Sequence, residues 1–523
     1  MTSDAHTREQ PLTGKTWIAV GGALLGAFMA VLDIQITNSS LPNIEGGIGT
    51  GGVYGTWIST AYLIGEIIVI PMTDFLTRVF TLRRYLITCT VMFLIFSGLC
   101  GQASSLSEMI VLRGLQGFFG GVLIPLAFTI IVSMLPPSKQ KIGFAGFAIT
   151  ATFAPSIGPT IGGWLTDNYG WPMIFYLGLV PGVVMLGALI YALPHGKPRP
   201  ELLRQGDWLG IALMAIGLAA LQTVLDEGNV YDWFGSPFIV KLSVVSALAL
   251  TGFVVVEMKR EHPLVNLRLL GRRNFGFGTA SNFLLGFALY GSAYLLPQYL
   301  AVSQGLNAQQ SGEIMAWTGL PQLFIIPLVP LVLMRFIDPR LIVGVGLAIF
   351  ALSCFMNVHL DPNYAGPQLF VPDVTRAFGQ ALVMAPLSGI AMVGITSEEA
   401  GAASGLFNML RNLGGAIGVA MIETFSTKRE QYHSFVINSH VSMFEPATRE
   451  RLDALQQFFI SRGMTDPQDA WRQAVVAVGK IIHSQATLMG YADAFGLIGV
   501  ILVIATVSVA LLKKGVAASG AAH

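Results

Sequence analysis

Runs of about 20 mostly apolar residues, the length that crosses a bilayer as a helix, recur along this chain with short polar gaps between them. Fourteen such segments are read from the sequence, starting near Trp17, Trp57, Tyr85, Met109, Gly143, Trp171, Leu209, Phe238, Phe275, Ile314, Leu341, Leu369, Ala400 and Met489. In hydrocarbon each must close its own backbone hydrogen bonds, which only helices and closed barrels do. The residue balance agrees: 53% hydrophobic and 11% charged over 523 residues, where soluble chains carry about 25% charged. An all-α polytopic membrane protein is the expected fold class.

The net charge of +1 says little, whereas its distribution says much. Reading alternate loops as one set collects Arg78, Arg83, Arg84, Lys139, Lys141, Lys197, Arg199, Arg204, Lys259, Arg260, Arg268, Arg272, Arg273, Arg335, Arg340, Lys513 and Lys514. The intervening short loops have no Lys or Arg and carry acids such as Glu45, Asp167, Asp226, Glu227, Asp232 and Asp361. By the positive-inside rule both termini are cytoplasmic, which requires an even number of spans. The first apolar run is too long and continuous for a signal peptide and is expected to remain in the mature chain.

Two longer linkers, "PHGKPRPELLRQGD" and "MKREHPLVNLRLLGRRNF", bracket a pair of spans in mid-sequence. The expected organisation is a cytoplasmic N-terminus (1–16), a six-helix bundle (17–193), linkers with two inserted spans (194–274), and a second six-helix bundle (275–523). An internal echo supports the division. "RGLQGFFGGVLIPLAF" from Arg113 and "RAFGQALVMAPLSGIA" from Arg376 each open on Arg and reach Pro-Leu about three turns later. Each is followed by a Gly-rich span, the pattern of a repeat-built transporter. The polar stretch 425–485 has Leu452, Leu455, Phe458 and Phe459 at helical spacing and an Asp-Pro helix start at Asp466, so a helical projection outside the membrane is expected. A solvated hairpin and a docking surface are both compatible with it.

Enzyme signatures are missing. "GKT" at Gly14 has Glu9 where a phosphate loop needs glycine, the eight histidines have no zinc spacing, and Cys89, Cys100 and Cys354 read as small hydrophobes. No cofactor, metal or nucleic acid is expected. What stands out is a set of ionisable groups at membrane depth, each costing about 2.5 to 3.5 kcal/mol at a helix centre on insertion scales. Asp33 follows "WIAVGGALLGAFMAVL" in the first span; Glu66 interrupts the second; Arg113, Arg376 and Arg411 lie in the fourth, twelfth and thirteenth. They hold helices in register by neutralising one another, or they bind a transported charge.

The combination "LDIQITNSSLP" from Leu32, "LRGLQG" from Leu112, "APSIGPTIGG" from Ala154 and "SGLFNMLRNLGGAIG" from Ser404 resembles the fourteen-span drug:proton antiporters of the major facilitator superfamily, the group containing the EmrB-type multidrug exporters. The resemblance implies two six-helix halves plus two inserted helices, in a bacterial cytoplasmic membrane. It also implies exchange of protons for drugs or metabolites, with a periplasmic EmrA-like adaptor and an outer-membrane channel as partners. Asp33, with Arg113 as its partner and Glu66 as a further acid, is then the expected proton-coupling set. Gly158, Pro159, Gly162 and Gly163 are the antiporter motif, for which close helix packing is the other reading. Gln35, Asn38, Gln116, Phe119, Met384, Phe407, Asn408 and Arg411 are candidates to line a plastic substrate cavity, or to face lipid or the bundle core. The second-to-third-span loop departs from the family pattern: "DFLTRVFTLRR" has Asp74 at the usual Gly place and Arg78 near the usual Asp place. The alternative within transport is a dedicated exporter of one metabolite, such as a siderophore, fatty acid or antibiotic; a receptor or channel is the rival class.

Overall fold

A computed structural model describes residues 13–50, 52–260, 265–396 and 399–512, and every regular element among them is helical. The first half contains α1 (Gly14–Ile48), α2 (Trp57–Phe80), α3 (Leu82–Cys100), α4 (Leu106–Met134, interrupted at Gly121 and Val122), α5 (Pro137–Tyr169) and α6 (Met173–Ala192). Two inserted helices follow, α7 (Trp208–Glu227) and α8 (Pro237–Lys259). The second half contains α9 (Arg273–Val302), α10 (Gln309–Phe336), α11 (Pro339–His359), α12 (Gly366–Ala391), α13 (Ala400–Ser439) and α15 (Pro467–Val509), with the shorter α14 (Pro446–Ser461) between the last two.

Ten of these helices are long and apolar enough to cross a membrane, and eleven if α5, bent by 46°, counts as one span. α2, α9 and α12, of 24, 30 and 26 residues, complete a set compatible with fourteen crossings. Local signals fix many of the starts. α5, α8, α11, α14 and α15 all begin on proline, whose missing N–H is no loss in a first turn. Asp466 caps α15 by accepting from the Gln468 N–H at 2.8 Å.

Outward faces stay greasy. Val180 on α6 is 75% exposed and Leu248 on α8 is 71% exposed, a surface that lipid covers and water would not tolerate. α7 packs on α8 and reaches both halves, touching α2 of the first and α13 of the second. The halves meet along α5 with α10 and along α2 and α4 with α13. We call the end where α1 starts and α15 finishes the basal face, and the opposite end the distal face.

Between the halves the basal side is closed. The Ser404 hydroxyl donates to the Pro125 carbonyl at 2.9 Å, and the Phe128 and Phe407 rings lie 5.8 Å apart. On the distal side α13 runs past the bundle, and its extension, α14 and the start of α15 form a helical projection.

Candidate functional site

Asp33 lies on α1 one turn before Thr37, whose hydroxyl donates to the Asp33 carbonyl at 2.8 Å. Its carboxylate is held by α4. Arg113 Nη1 donates to Oδ2 at 2.6 Å, and Gln116 Nε2 donates to Oδ1 at 3.0 Å. The same Nη1 donates to Gln116 Oε1 at 2.7 Å, so the three side chains form a closed ring of bonds. Arg113 is 1% exposed, with its guanidinium 4.3 Å from the Tyr62 ring centre, and the ring face adds a favourable cation contact in a dry setting. The approach of α2 to α4 that creates this nest depends on Gly117: a β-carbon there would lie 2.0 Å from the Tyr62 carbonyl oxygen. Cys100 adds an S–H donor to Gln116 Oε1 at 3.6 Å.

The glycine-rich stretch of α5 packs on α1 just past Asp33. A β-carbon on Gly158 would lie 2.5 Å from Gln35 Cβ, and one on Gly162 would lie 2.4 Å from Ser39 Oγ. The Ser40 and Thr166 hydroxyls share a hydrogen bond of 2.7 Å across the same seam. Gly163 is buried, and Pro159 reaches the cavity described next.

That cavity lies in the distal half, between the two bundles, with an atom-free volume of about 1100 Å³, its mouth included. Gln35, Asn38, Glu66 and Pro159 come from the first half, Tyr290, Tyr294 and Asn412 from the second, and Gln222 and Asp226 from the inserted α7. Asn412 Nδ2 donates to Glu66 Oε1 at 2.7 Å, a bond from one half to the other; Glu66 is 4% exposed and its Oε2 has no hydrogen-bond partner. Asp33 does not line this space. It borders a smaller pocket among α1, α3 and α6, with Phe93, Ser97 and Ile174.

Several expected cavity residues are placed elsewhere. Gln116 is spent on the Asp33 ring, and Phe119 stacks on Phe96 at 5.7 Å. Met384, Phe407 and Asn408 are buried within the packed core, Asn408 donating back to the Ser404 carbonyl at 2.9 Å. Arg411 is 2% exposed beneath the Phe147 ring and is absent from the cavity wall, although the next residue, Asn412, lines it. The sequence reading of Asp226 as a loop acid is corrected: it sits in the last turn of α7 and lines the cavity.

One buried acid was missed. Asp373 on α12 is fully buried, its Oδ1 3.2 Å from Arg376 Nη2. Its spacing of three residues before Arg376, on one helix face, was the available signal. Gln380, a turn beyond Arg376, accepts from Gln322 Nε2 at 2.9 Å. Each half thus buries an Arg with an acid and a Gln close by.

Residues 23–419 match the family model described as Major Facilitator Superfamily. The chain is 30% identical over 500 residues to the colistin resistance protein EmrB of Acinetobacter baumannii, covering 95% of this chain and 96% of that one. It is 32% identical to the multidrug export protein EmrB of Escherichia coli K12, covering 91% and 93%. It is 31% identical to the fatty acid resistance protein FarB of Neisseria gonorrhoeae, covering 96% and 97%. Among solved structures the proton:xylose symporter XylE matches with a TM-score of 0.58 at 13% identity, covering 94% of each chain. The human organic anion transporter MFSD10 matches with a TM-score of 0.56 at 15% identity, covering 94% of this chain and all of that one. At such identities the structural likeness speaks for the fold.

Proposed function

The chain belongs to the major facilitator superfamily, and we propose that it works there as a proton-coupled antiporter exporting hydrophobic or amphipathic small molecules. The observation that carries this reading is the ring of Asp33, Arg113 and Gln116: an acid only 10% exposed, paired with a buried arginine, next in sequence to the Ile34 and Gln35 that line a cavity opening between the halves. We read the basal face as cytoplasmic, because Arg83, Arg272, Arg340 and their neighbours gather there. The bacterial origin of the chain's relatives supports a bacterial inner membrane as its site.

In this conformation the cytoplasmic side is shut by Ser404 and Phe407 against α4. A proton arriving from outside neutralises Asp33 and removes its attraction for Arg113. The Arg113 charge is then unbalanced, and it acts electrostatically on Glu66 in the cavity wall, as Arg411 does from behind. Proton uptake at Asp33 is thereby felt where the substrate sits, with Glu66 as the second acid of the coupling set. The glycine seam between α5 and α1 keeps water from running between the Asp33 pocket and the cavity.

The distal projection supports a docking reading. Phe444 is 87% exposed and Phe435 is 75% exposed, and Leu452 is the buried residue of α14. A periplasmic adaptor of the EmrA kind, leading to an outer-membrane channel, fits that apolar surface. If deletion of residues 440–466 leaves both adaptor assembly and drug resistance intact, the docking role is lost.

The transport reading is tested in proteoliposomes with an imposed proton gradient and a panel of dyes and drugs. Substrate-driven proton movement is expected with the wild type and not with Asp33→Asn. Equal proton movement in both would remove Asp33 from the mechanism; none in either would favour a receptor. A response to a single compound class would favour a dedicated exporter, a reading that the name of the FarB relative keeps in view.

A further inference from the structure

One wall of the distal cavity comes from outside the two six-helix halves. α7 presents Gln222 and Asp226, one turn apart, and Gln222 Nε2 donates to Asp226 Oδ1 at 2.9 Å, while the Thr60 hydroxyl of α2 stands beside the same carboxylate. Glu66 is arranged in the same manner, with Oε1 taken by the Asn412 amide and a 4% exposed side chain whose Oε2 is unpartnered. Two carboxylates thus each commit one oxygen to an amide, and neither forms an ion pair among the described residues. Burying a carboxylate with no ion-pair partner is costly, and either a bound proton or a positively charged group relieves it, so the two compete for the same acids.

The rest of the wall fits such a group. Among the described residues no Lys, Arg or His lines the cavity, and Tyr290 and Tyr294, one turn apart on α9, supply the aromatic rings that attract cations. Arg411 stays outside the lining, while Glu227 follows Asp226 on α7 and Glu423 is bonded to Asn229 just beyond it. The end of α7 is also clamped to both halves. The Thr56 hydroxyl of the loop before α2 donates to Glu227 Oε1 at 2.9 Å, Asn229 Nδ2 donates to Glu423 Oε1 at 3.1 Å, and Trp233 Nε1 donates to Thr424 Oγ1 at 3.0 Å. These bonds hold Asp226 in a defined position relative to Glu66.

We infer that Glu66 and Asp226 form a subsite for the positively charged head of an amphipathic organic cation, with the inserted helix α7 supplying one of the two carboxylates. This names a substrate class for the proposed exporter and rests on that reading. It also gives the inserted pair a part in recognition: α7 is a cavity wall, and the hydrophobic body of the substrate lies against Leu63, Ile67 and Val419.

The test is binding of tetraphenylphosphonium to the full-length protein in nanodiscs, with no proton gradient, beside the neutral dye N-phenyl-1-naphthylamine. Glu66→Gln and Asp226→Asn are each expected to weaken tetraphenylphosphonium binding at least about tenfold and to leave the neutral dye unchanged, with Asp226→Glu retaining the cation. Failure of the wild type to bind the cation, unchanged cation affinity in both amide variants, or equal loss of the two probes would each overturn the subsite. Proton-driven movement of the neutral dye is measured separately in proteoliposomes. Its presence without cation binding sinks the subsite and leaves the transport reading standing; its absence, alongside acid-dependent cation binding, does the reverse.

Discussion

Asp74 of α2 presses its carboxylate against Gly401 in the first turn of α13, so closely that a β-carbon on Gly401 would lie 2.0 Å from Oδ1. The contact joins the two halves at the basal face, and Asp74 is also paired with Arg78 one turn on. An acid at the start of α13 is favoured by the partial positive charge of a helix N-terminus. Although "DFLTRVFTLRR" departs from the family pattern, it still delivers a carboxylate to the opposite half, from the pattern's first position.

Gly401→Val is therefore expected to force the basal side apart, at a cost of about 1 to 3 kcal/mol typical of overpacking. Spin labels on the basal ends of α2 and α13 should report a longer distance in this variant. Adding Asp74→Ala makes room and should restore the wild-type distance. An unchanged distance in Gly401→Val would mean that this contact does not hold the closed state.

The seam between α5 and α1 makes a different prediction. Gly158→Leu must displace Gln35, which already sits where the new β-carbon would be. A loss of about 1 to 3 kcal/mol in stability is expected, with faster passive proton entry into liposomes in the absence of substrate. A destabilised variant that remained proton-tight would assign the glycines to packing alone.

The spans were legible because each has to satisfy its own backbone in hydrocarbon, which leaves a long apolar run as its trace. The buried charges were legible for a related reason, since Asp33 and Arg113 stand out against apolar neighbours. That they touch was only a candidate pairing, because 80 residues separate them and no local spacing records it. The cavity was read less well. Met384 and Phe407 belong to the core, and lipid is as apolar as a core, so greasy residues facing either way look alike in sequence. Asp226 lay at a segment edge, where a helix end and a loop have the same composition.

At the basal face Arg272 makes two bonds to Glu399, of 2.8 and 2.5 Å, joining the linker before α9 to the loop before α13. This pairing, with the Thr396 N–H, holds the Glu399 carboxyl down at about 2, against an ordinary value of 4.5. A lowered folded-state value means that the stabilisation is complete above 4.5 and fades as the pH falls toward 2. The two side chains are 45% and 27% exposed, so solvent screening limits the gain to at most about 1 kcal/mol. The wild type should melt slightly higher than Glu399→Gln at pH 7, with the gap narrowing below pH 4.5. A gap that widened on acidification would contradict the pairing.

The ion pair between Asp33 and Arg113 is the most consequential single contact, and its energetics can be separated from its role in coupling. Arg113→Met strips the cation from a carboxylate that is 10% exposed, and removing one partner of a buried pair costs about 3 to 5 kcal/mol. Asp33→Asn is milder, because Arg113 keeps the Gln116 oxygen at 2.7 Å and the Ile58 carbonyl at 3.4 Å. The double variant removes both charges and should lose less than the sum of the two single losses, by about 1 to 3 kcal/mol of coupling. Thermal unfolding of the four proteins at one pH closes this cycle. Strictly additive losses would show that the two side chains do not depend on each other, and the coupling scheme built on their separation would have no physical basis.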